Sequence, residues 1–553
     1  MPSPALPDDS VDVETPVVAP NAAHTAHQGA EVMVMRSHTT GLSRELVTEL
    51  EDSLIRSVTL STSLSCFGRH WALPSAASMY EVRSKEYNLS FQTKRYHHFL
   101  SHDWKTSRWV KFWSLLILFN LRAATFAMLM CGVIVGLCRE SGALLEDKGR
   151  VHRLTTSLLP WLVLLLVFFC WQRIRSLARR PLLVFLDKLC IAQHDPSLKE
   201  QGILGLAAFL DRSDHLTVLW SPRYLTRLWC GYELATFLRD NSESKPLTFF
   251  PVNMSLIVLL PTIYLSLVKV QAQVDVASLA VSMGLVDLEV GAGLKEVLLL
   301  RVLPALVLLV ATIPFLFYKT LELFRDISLV DRQLQDFSLK GSECFCCAND
   351  HQHPDTGEAL PCDRTLVYEA VRLWYGAESD TQEEHLKRFD RMVHTRLRRK
   401  VLAGADSALF PVRIMMLMAL ITSAPRLCDA ITMARDLHLE YPEADWNGLQ
   451  YFWKSLCAFS YWLVDLSIDG ICIRIVYTMA FGLCGQRLSQ MKSRLKAALL
   501  LTAISSPPPI MVRTGAMFAF LNLIPYDLRP CYALAMLLVA LCFFKPCSFC
   551  RGK

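Results

Sequence analysis

Leu182-Leu183-Val184-Phe185-Leu186-Asp187 is an unbroken apolar run closed by a single acid. It is too short to cross a bilayer and too continuous for a strand with one wet face, so it reads as a short parallel strand covered on both sides. Downstream come a polar loop from Lys188 to Gln201, a helical stretch from Gly202 to Arg212 and a second strand from His215 to Trp220. A turn at Ser221-Pro222, a helix from Leu225 to Arg239 and a third strand from Leu247 to Val252 follow. Strands alternating with helices predict a parallel sheet joined by right-handed crossovers. The setting of this α/β unit decides the fold. Uncharged runs near the length of a membrane span lie on both sides of it, from Ala123 to Cys138 and Leu154 to Trp171 before it, and from Met254 to Val268 and Val302 to Tyr318 after it.

Composition agrees with a membrane setting. The chain has 553 residues, 52% hydrophobic and only 20% charged, with a mean hydropathy of +0.30, which is too apolar for an ordinary soluble chain of this length. The first span is expected to begin near Phe112, carrying Asn120 and Arg122 in its inward half, with Arg122 facing a neighbouring helix or snorkelling. In the carboxyl-terminal third the apolar runs are interrupted by Arg413, by Asp465, Asp469 and Arg474, and by Pro507-Pro508-Pro509. The expected fold is therefore an α-helical multi-pass membrane protein of about six to eight spans with a split, inserted cytoplasmic α/β domain.

The short stretch Gln486–Lys496 carries Arg487, Lys492, Arg494 and Lys496 without an acid and is read as cytoplasmic. Gln271 to Glu296 and Cys428 to Gln450 carry mostly Asp and Glu and are read as external, which places both termini in the cytoplasm. The first forty residues lack a basic start followed by an apolar core, and read as a disordered tail and not a signal peptide. A net charge of +6, explained by juxtamembrane residues such as Arg396, Arg398, Arg399 and Lys400, implies no nucleic-acid partner. Eighteen irregularly spaced cysteines read as reduced thiols.

The residues around the second strand carry a resemblance. Leu219-Trp220-Ser221-Pro222-Arg223-Tyr224, followed by Leu228-Trp229-Cys230-Gly231-Tyr232-Glu233-Leu234, resembles the third strand and following helix of TIR (Toll/interleukin-1 receptor) domains. Tyr96-His97-His98-Phe99-Leu100-Ser101-His102-Asp103-Trp104 looks like that family's opening strand. The segment from Phe185 to Asp195 also resembles the heterokaryon-incompatibility domain, a distant relative of the same fold. The loop after Asp187 lacks the family's Arg-Asp and Pro-Gly elements, and no clear last strand precedes the third span. The resemblance covers about a quarter of the chain. It implies that the first strand, near Phe99, and the second, near Val184, pair across a transmembrane hairpin inserted between them.

In TIR domains that cleave NAD, a Glu at the position of Glu233 lies beside the ribose whose bond to nicotinamide breaks. The resemblance thus implies Glu233 as catalytic residue, Ser101, Asp103 and Asp187 as lining of the binding crevice, and NAD as substrate. It equally covers adaptors without turnover that act by self-association, in which Glu233 faces water or caps a neighbour. Trp229 and Cys230 read as core residues, Asp187 equally as a loop cap, and consecutive Ser101, His102 and Asp103 do not make a triad, which is built in space.

Outside this unit, Cys344 and Cys347 have the C-x-x-C spacing of a zinc site, which His351 and Cys362 would complete; His353 lies nearby, and a mobile loop of reduced or lipidated cysteines is the alternative. The stretches Asp363–Tyr375 and Glu383–Val401 read as partner-facing or membrane-facing surface. Asp465 and Asp469, one helical turn apart, allow an ion route, making a channel or transporter the rival function; the alternative is pairing with Arg474, Arg413 or Arg513. Cys547 and Cys550 are candidate palmitoylation sites. The expected organisation is a tail (1–45), an N-terminal cytoplasmic segment (46–93), the first strand (94–111), a transmembrane hairpin (112–172) and the rest of the α/β domain (173–253). A second transmembrane pair (254–318), a Cys/His-containing helical region (319–407), a transmembrane bundle (408–546) and a short tail (547–553) complete it.

Overall fold

The computed structural model describes residues 50–72, 85–143, 150–239, 245–273, 303–352, 357, 359, 362–377, 383–402, 412–440, 447–479, 488, 491, 493–505 and 507–544. The N-terminal tail, residues 274–296 of the first acidic loop and 441–446 of the second, five residues of the basic Gln486–Lys496 stretch, His353 and the cysteines of the last segment lie outside the described residues. The rest of the second acidic stretch, expected to be a loop, is mostly helical, within Val412–Glu440 and Gly448–Thr478.

Six strands form one mixed sheet: β1 (Arg56–Thr59), β2 (Phe91–Gln92), β3 (Tyr96–His102), β4 (Leu183–Phe185), β5 (Ser213–Trp220) and β6 (Leu247–Pro251), in the order β2-β1-β4-β3-β5-β6. The central pairs are parallel: His98 lies opposite Val184, Phe99 opposite both Phe185 and Leu216, and Leu219 opposite Phe250. Strands on the two sides of the first apolar hairpin therefore do pair. The outer strands correct the expectation of a purely parallel sheet. β1 runs antiparallel to β4, with Val58 opposite Val184, and β2 antiparallel to β1, so the 46–93 segment completes the sheet. Its sequence hides this, because Arg56-Ser57-Val58-Thr59 is short and half polar, and Ser57 is buried only through its neighbours.

Helix α1 (Arg108–Glu140) follows β3, and α2 (Arg150–Leu177) returns the chain to β4. At 1.5 Å per residue, α1 is about 50 Å long, more than a bilayer core needs. Its first turns serve the sheet: Leu115 lies in the core beside Phe99 and Val184, and the Phe119 ring meets His98 with centroids 4.8 Å apart. Beyond that, Phe126 (66% exposed), Ile134 and Leu137 face outward, as Leu162 and Leu166 do on α2. Water would penalise such a surface, whereas lipid would not. Asn120 joins the two helices by donating to Phe168 O (2.8 Å) and accepting from Gln172 Nε2 (2.7 Å), and Arg122 is exposed.

The remaining α/β helices are α3 (Leu206–Asp211) and α4 (Leu228–Arg239); the polar stretch after Asp187 is itself partly helical, at Asp187–Cys190 and Pro196–Leu204. Then come α5 (Met254–Gln273), α6 (Leu303–Gln335), α7 (Asp363–Tyr375) and α8 (Glu384–Met392). The 319–407 region is part of the sheet's own core. Tyr232 of α4 stacks on Trp374 of α7 (5.3 Å), Tyr375 Oη donates to Ala235 O (2.6 Å), and Phe389 of α8 is fully buried. The surfaces read as partner-facing are instead partly spent on this internal contact, because each helix carries an apolar face that the sheet layer can bury. Gly231 makes the approach feasible: a Cβ there would lie 2.9 Å from Leu339 Cδ1.

The bundle is completed by α9 (Val412–Glu440), α10 (Gly448–Thr478), α11 (Arg494–Ser505), α12 (Pro507–Phe518) and α13 (Arg529–Phe544). Five helical stretches among the described residues are long and apolar enough to cross a membrane: Arg108–Glu140, Leu158–Leu177, Arg413–Thr432, Gly448–Thr478 and Arg494–Leu523; Met254–Leu267 and Arg529–Cys542 are apolar but shorter. Gly132 and Gly136, one turn apart on α1, let α9 come close, and a Cβ on Gly136 would lie 3.0 Å from Ile431 Cδ1.

Candidate functional site

Parallel strands β3, β4 and β5 end at one edge of the sheet, the edge where α/β folds gather ligands. Ser101, the penultimate residue of β3, turns its hydroxyl toward α4 and donates to Glu233 Oε2, with Tyr224 Oη 2.5 Å from Ser101 Oγ. Glu233 is 8% exposed. Burial pushes its carboxyl up to about 8, against the Ser101 hydrogen bond, and nearby Asp187 adds to the rise. Glu233 is thus a buried, proton-holding acid, and not a surface residue facing water. Burial likewise raises the Tyr224 phenol and the Cys230 thiol, so Cys230 is a poor nucleophile.

Two more carboxylates from the sequence reading lie at this edge. Asp103 accepts from Thr106 Oγ1 (3.2 Å) and pairs with Arg227 (3.8 Å). Asp187 accepts from Trp104 Nε1 (2.5 Å) and from the Lys188 backbone N–H (2.7 Å), so it is both loop cap and member of the cluster. Its carboxyl is raised by burial, while Trp104, Lys188 and Lys111 act in the opposite sense. Two aromatic rings and two ammonium groups close the rim. Lys188 Nζ sits 4.6 Å from the Trp104 ring and donates to Ala72 O (2.9 Å); Lys111, in the first turn of α1, lies 5.9 Å from the Trp71 ring. His102 is not a triad member. Its ring packs edge-on against Trp71 at 4.8 Å, and desolvation, followed by Lys111 and Lys188, keeps it neutral.

Ser101, Asp103, Asp187 and Glu233, named from sequence, thus share one edge. Trp104, Lys111, Lys188, Tyr224 and Arg227 were not named. Tyr224 and Trp104 lie inside the motifs that carry the TIR resemblance, and Lys111 stands with Arg108 in the first turn of a largely apolar helix. Trp229 packs against the core as expected, but is only half-buried: its ring meets Tyr232 edge-on at 5.9 Å, and its Nε1 donates to Asp363 Oδ2 (3.2 Å) on α7. A charged cleft lined by Lys94, Arg95, Asp211, Arg212, Asp214 and Lys245 lies at the opposite edge, at the amino ends of β3, β5 and β6. Arg95 there is satisfied by Asp214 at 2.6 Å.

The Cys/His segment also gathers. Ligand atoms of Cys346, Cys347, His351 and Cys362 lie within 4.8 Å of one another, whereas Cys344 belongs to a second group with Cys346 and Asp363. The described cysteines are all free thiols.

Inside the bundle, Asp465 and Asp469 of α10 are buried but neutralised. Arg513 of α12 reaches Asp469 (2.5 Å) and Asp465 (3.0 Å), Arg426 of α9 reaches Asp465 (3.0 Å), and Thr422 donates to Asp469 (2.7 Å). Arg513 was among the partners considered from sequence, Arg426 was not, and Arg413 is exposed. An acid pair held by two guanidinium groups acts as a cross-link between helices.

No family model, no curated protein and no solved structure matches the chain.

Proposed function

We propose that this chain is a multi-pass membrane signalling protein whose TIR-like cytoplasmic domain, through association of its copies, brings Glu233 into action as a nicotinamide-releasing carboxylate on NAD. The observation that carries this reading is the buried Glu233–Ser101 pair at the carboxyl edge of a parallel sheet, flanked by Asp103 and Asp187. In the reaction the C1′–N bond of the nicotinamide ribose breaks and its electron pair leaves on the nicotinamide nitrogen. The ionised Glu233 carboxylate stabilises the developing oxocarbenium charge; water then adds at C1′ and its proton passes to solvent, giving nicotinamide, ADP-ribose and H⁺.

The arrangement described above corresponds to the resting state of that cycle. Glu233 holds its proton to about pH 8, and Ser101 and Tyr224 occupy its surroundings. Separation of β3 from α4 would hydrate the carboxyl, lower its proton affinity and open the crevice. Because α1 and α2 continue directly into neighbouring strands β3 and β4, tilting of that hairpin is the natural input.

The deciding measurement is nicotinamide release from NAD by the full-length protein, at high density in lipid vesicles, beside Glu233→Ala and Glu233→Gln. Release by the native chain that both variants lose supports the reading. Absence of release from the folded, clustered native chain, or release untouched by either substitution, overturns it and leaves a non-enzymatic scaffold.

A further inference from the structure

Four soft or borderline ligand atoms converge without any role in the carboxylate site. Cys347 Sγ lies 4.0 Å from Cys346 Sγ, 3.8 Å from Cys362 Sγ and 3.7 Å from His351 Nε2. A tetrahedral Zn²⁺ with Zn–S of about 2.3 Å and Zn–N of about 2.0 Å has S···S edges of about 3.8 Å and S···N edges of about 3.5 Å. The three separations from Cys347 match those edges to within a few tenths of an ångström, and all four ligand atoms lie within 4.8 Å of one another.

The backbone is bent to this end. Asp350 and His351 both hold positive φ (50° and 58°), a conformation that side chains with a Cβ rarely adopt, and this turn brings the imidazole back over Cys347. Outer contacts suit a charged centre too. The Asp363 N–H donates to Cys346 Sγ (3.2 Å), and the Arg364 guanidinium sits beside Cys347 while donating to Ser342 O (2.7 Å). Three thiolates and a neutral imidazole around Zn²⁺ leave one net negative charge, which Arg364 offsets.

We infer that Cys346, Cys347, His351 and Cys362 form a closed structural Zn²⁺ site that clamps residues 343–352 and 362–363 to the start of α4. The clamp acts on that helix through two adjoining links. Glu343 O accepts from the Leu228 N–H (3.1 Å) while Glu343 N–H donates to Thr226 O, and Asp363, next to a ligand, accepts from Trp229. Four protein ligands leave no open position, so the ion is structural and not catalytic, and thiolate-imidazole softness selects zinc over magnesium or calcium. The site stands whether or not α4 carries a nicotinamide-releasing carboxylate. Sequence spacing alone favours Cys344 as partner of Cys347, but the four ligand atoms that converge include Cys346 of the short helix Phe345–Ala348, with Cys344 buried beside them, 3.1 Å from Cys346 Sγ and within reach of Cys347.

The test is metal content of the full-length protein purified in detergent under reducing conditions, by elemental mass spectrometry, with Co²⁺ exchanged into stripped protein as a spectroscopic probe. About one Zn²⁺ per chain, and the visible bands of tetrahedral thiolate-bound Co²⁺, are expected. Cys347→Ser, His351→Ala and Cys362→Ser should each lower the bound zinc at least about tenfold, while Cys344→Ser retains it. Reconstitution of the stripped native chain with Co²⁺ keeps the question open to decision should a variant not fold. Native protein with neither zinc nor a tetrahedral cobalt spectrum overturns the site, as does a Cys347–Cys362 disulfide in its place. Loss of metal in Cys344→Ser with retention in Cys346→Ser overturns the ligand set.

Discussion

The rings of Phe99 and Phe185 stack with centroids 4.5 Å apart and planes 20° from parallel, although the whole of α1 and α2 lies between them in the chain. Both residues are fully buried, and Phe209 and Tyr96 complete the cluster. This contact holds the two parts of the sheet together across the apolar hairpin. Phe185→Ala should destabilise the α/β layer by about 3–5 kcal/mol. Leu162→Ala, on the exposed face of α2, should change its stability by less than about 0.5 kcal/mol. Chemical denaturation in detergent, followed by tryptophan emission, distinguishes the two; equal effects would show that the split sheet is not a cooperative unit.

Glu233 gives a pH prediction whose sign is fixed by the direction of its shift. In the unfolded chain the carboxyl ionises near its ordinary value of 4.5, whereas in the fold it keeps its proton to about 8. The folded state therefore binds more protons across that window, and its stability falls as pH rises through it, levelling above about 8. Glu233→Gln cannot ionise. Relative to native protein it should gain stability toward alkaline pH, on the order of a few kcal/mol, and show little difference near pH 4. Thermal unfolding across pH measures this. Nicotinamide release, which needs the ionised carboxylate, should rise with pH through about 8.

How much of this was legible in sequence follows from where the information lies. The apolar runs that became β3, β4 and β5 are local, and so is the carboxylate at Glu233; both could be read. β1 could not, because Arg56 to Thr59 becomes a strand only by pairing with β4. Nor could the seating of the 337–339 segment on α4, which depends on Gly231 lacking a side chain opposite Leu339. Ligand candidates in the Cys/His segment were visible as residue types, but the choice between Cys344 and Cys346 rests on one turn of helix. The Arg426–Asp465 pair spans two helices that no local pattern relates.

Gly231 offers a direct probe of the contact between the sheet layer and the helices beyond it. A methyl group there would meet Leu339 Cδ1 at 2.9 Å and Phe337 Cζ at 3.4 Å, so Gly231→Ala must push the 337–339 segment outward. The expected loss is about 1–3 kcal/mol, by overpacking. Tyr375→Phe, which removes only the hydrogen bond to Ala235 O, should lose about 1 kcal/mol. Amide exchange in the 337–343 segment should rise in Gly231→Ala more than in Tyr375→Phe.

Arg513 decides whether the intramembrane acids are a cross-link or a route for ions. It reaches both Asp465 and Asp469, and Arg426 supplies a second cation to Asp465, so removing Arg513 takes a guanidinium contact from each of the two buried acids. Removing one partner of a buried ion pair typically costs about 3–5 kcal/mol, whereas replacing a whole ion pair by apolar residues of similar volume is often neutral. Arg513→Met should therefore lower the unfolding midpoint of the bundle strongly, and Arg513→Met with Asp469→Leu should recover most of the loss. A transport role predicts the opposite ranking by function: ion flux into vesicles would vanish in Asp465→Asn and Asp469→Asn even where stability is preserved. Stability restored by the paired substitution, together with no acid-dependent flux in the native chain, assigns Asp465, Asp469, Arg426 and Arg513 to holding α9, α10 and α12 together.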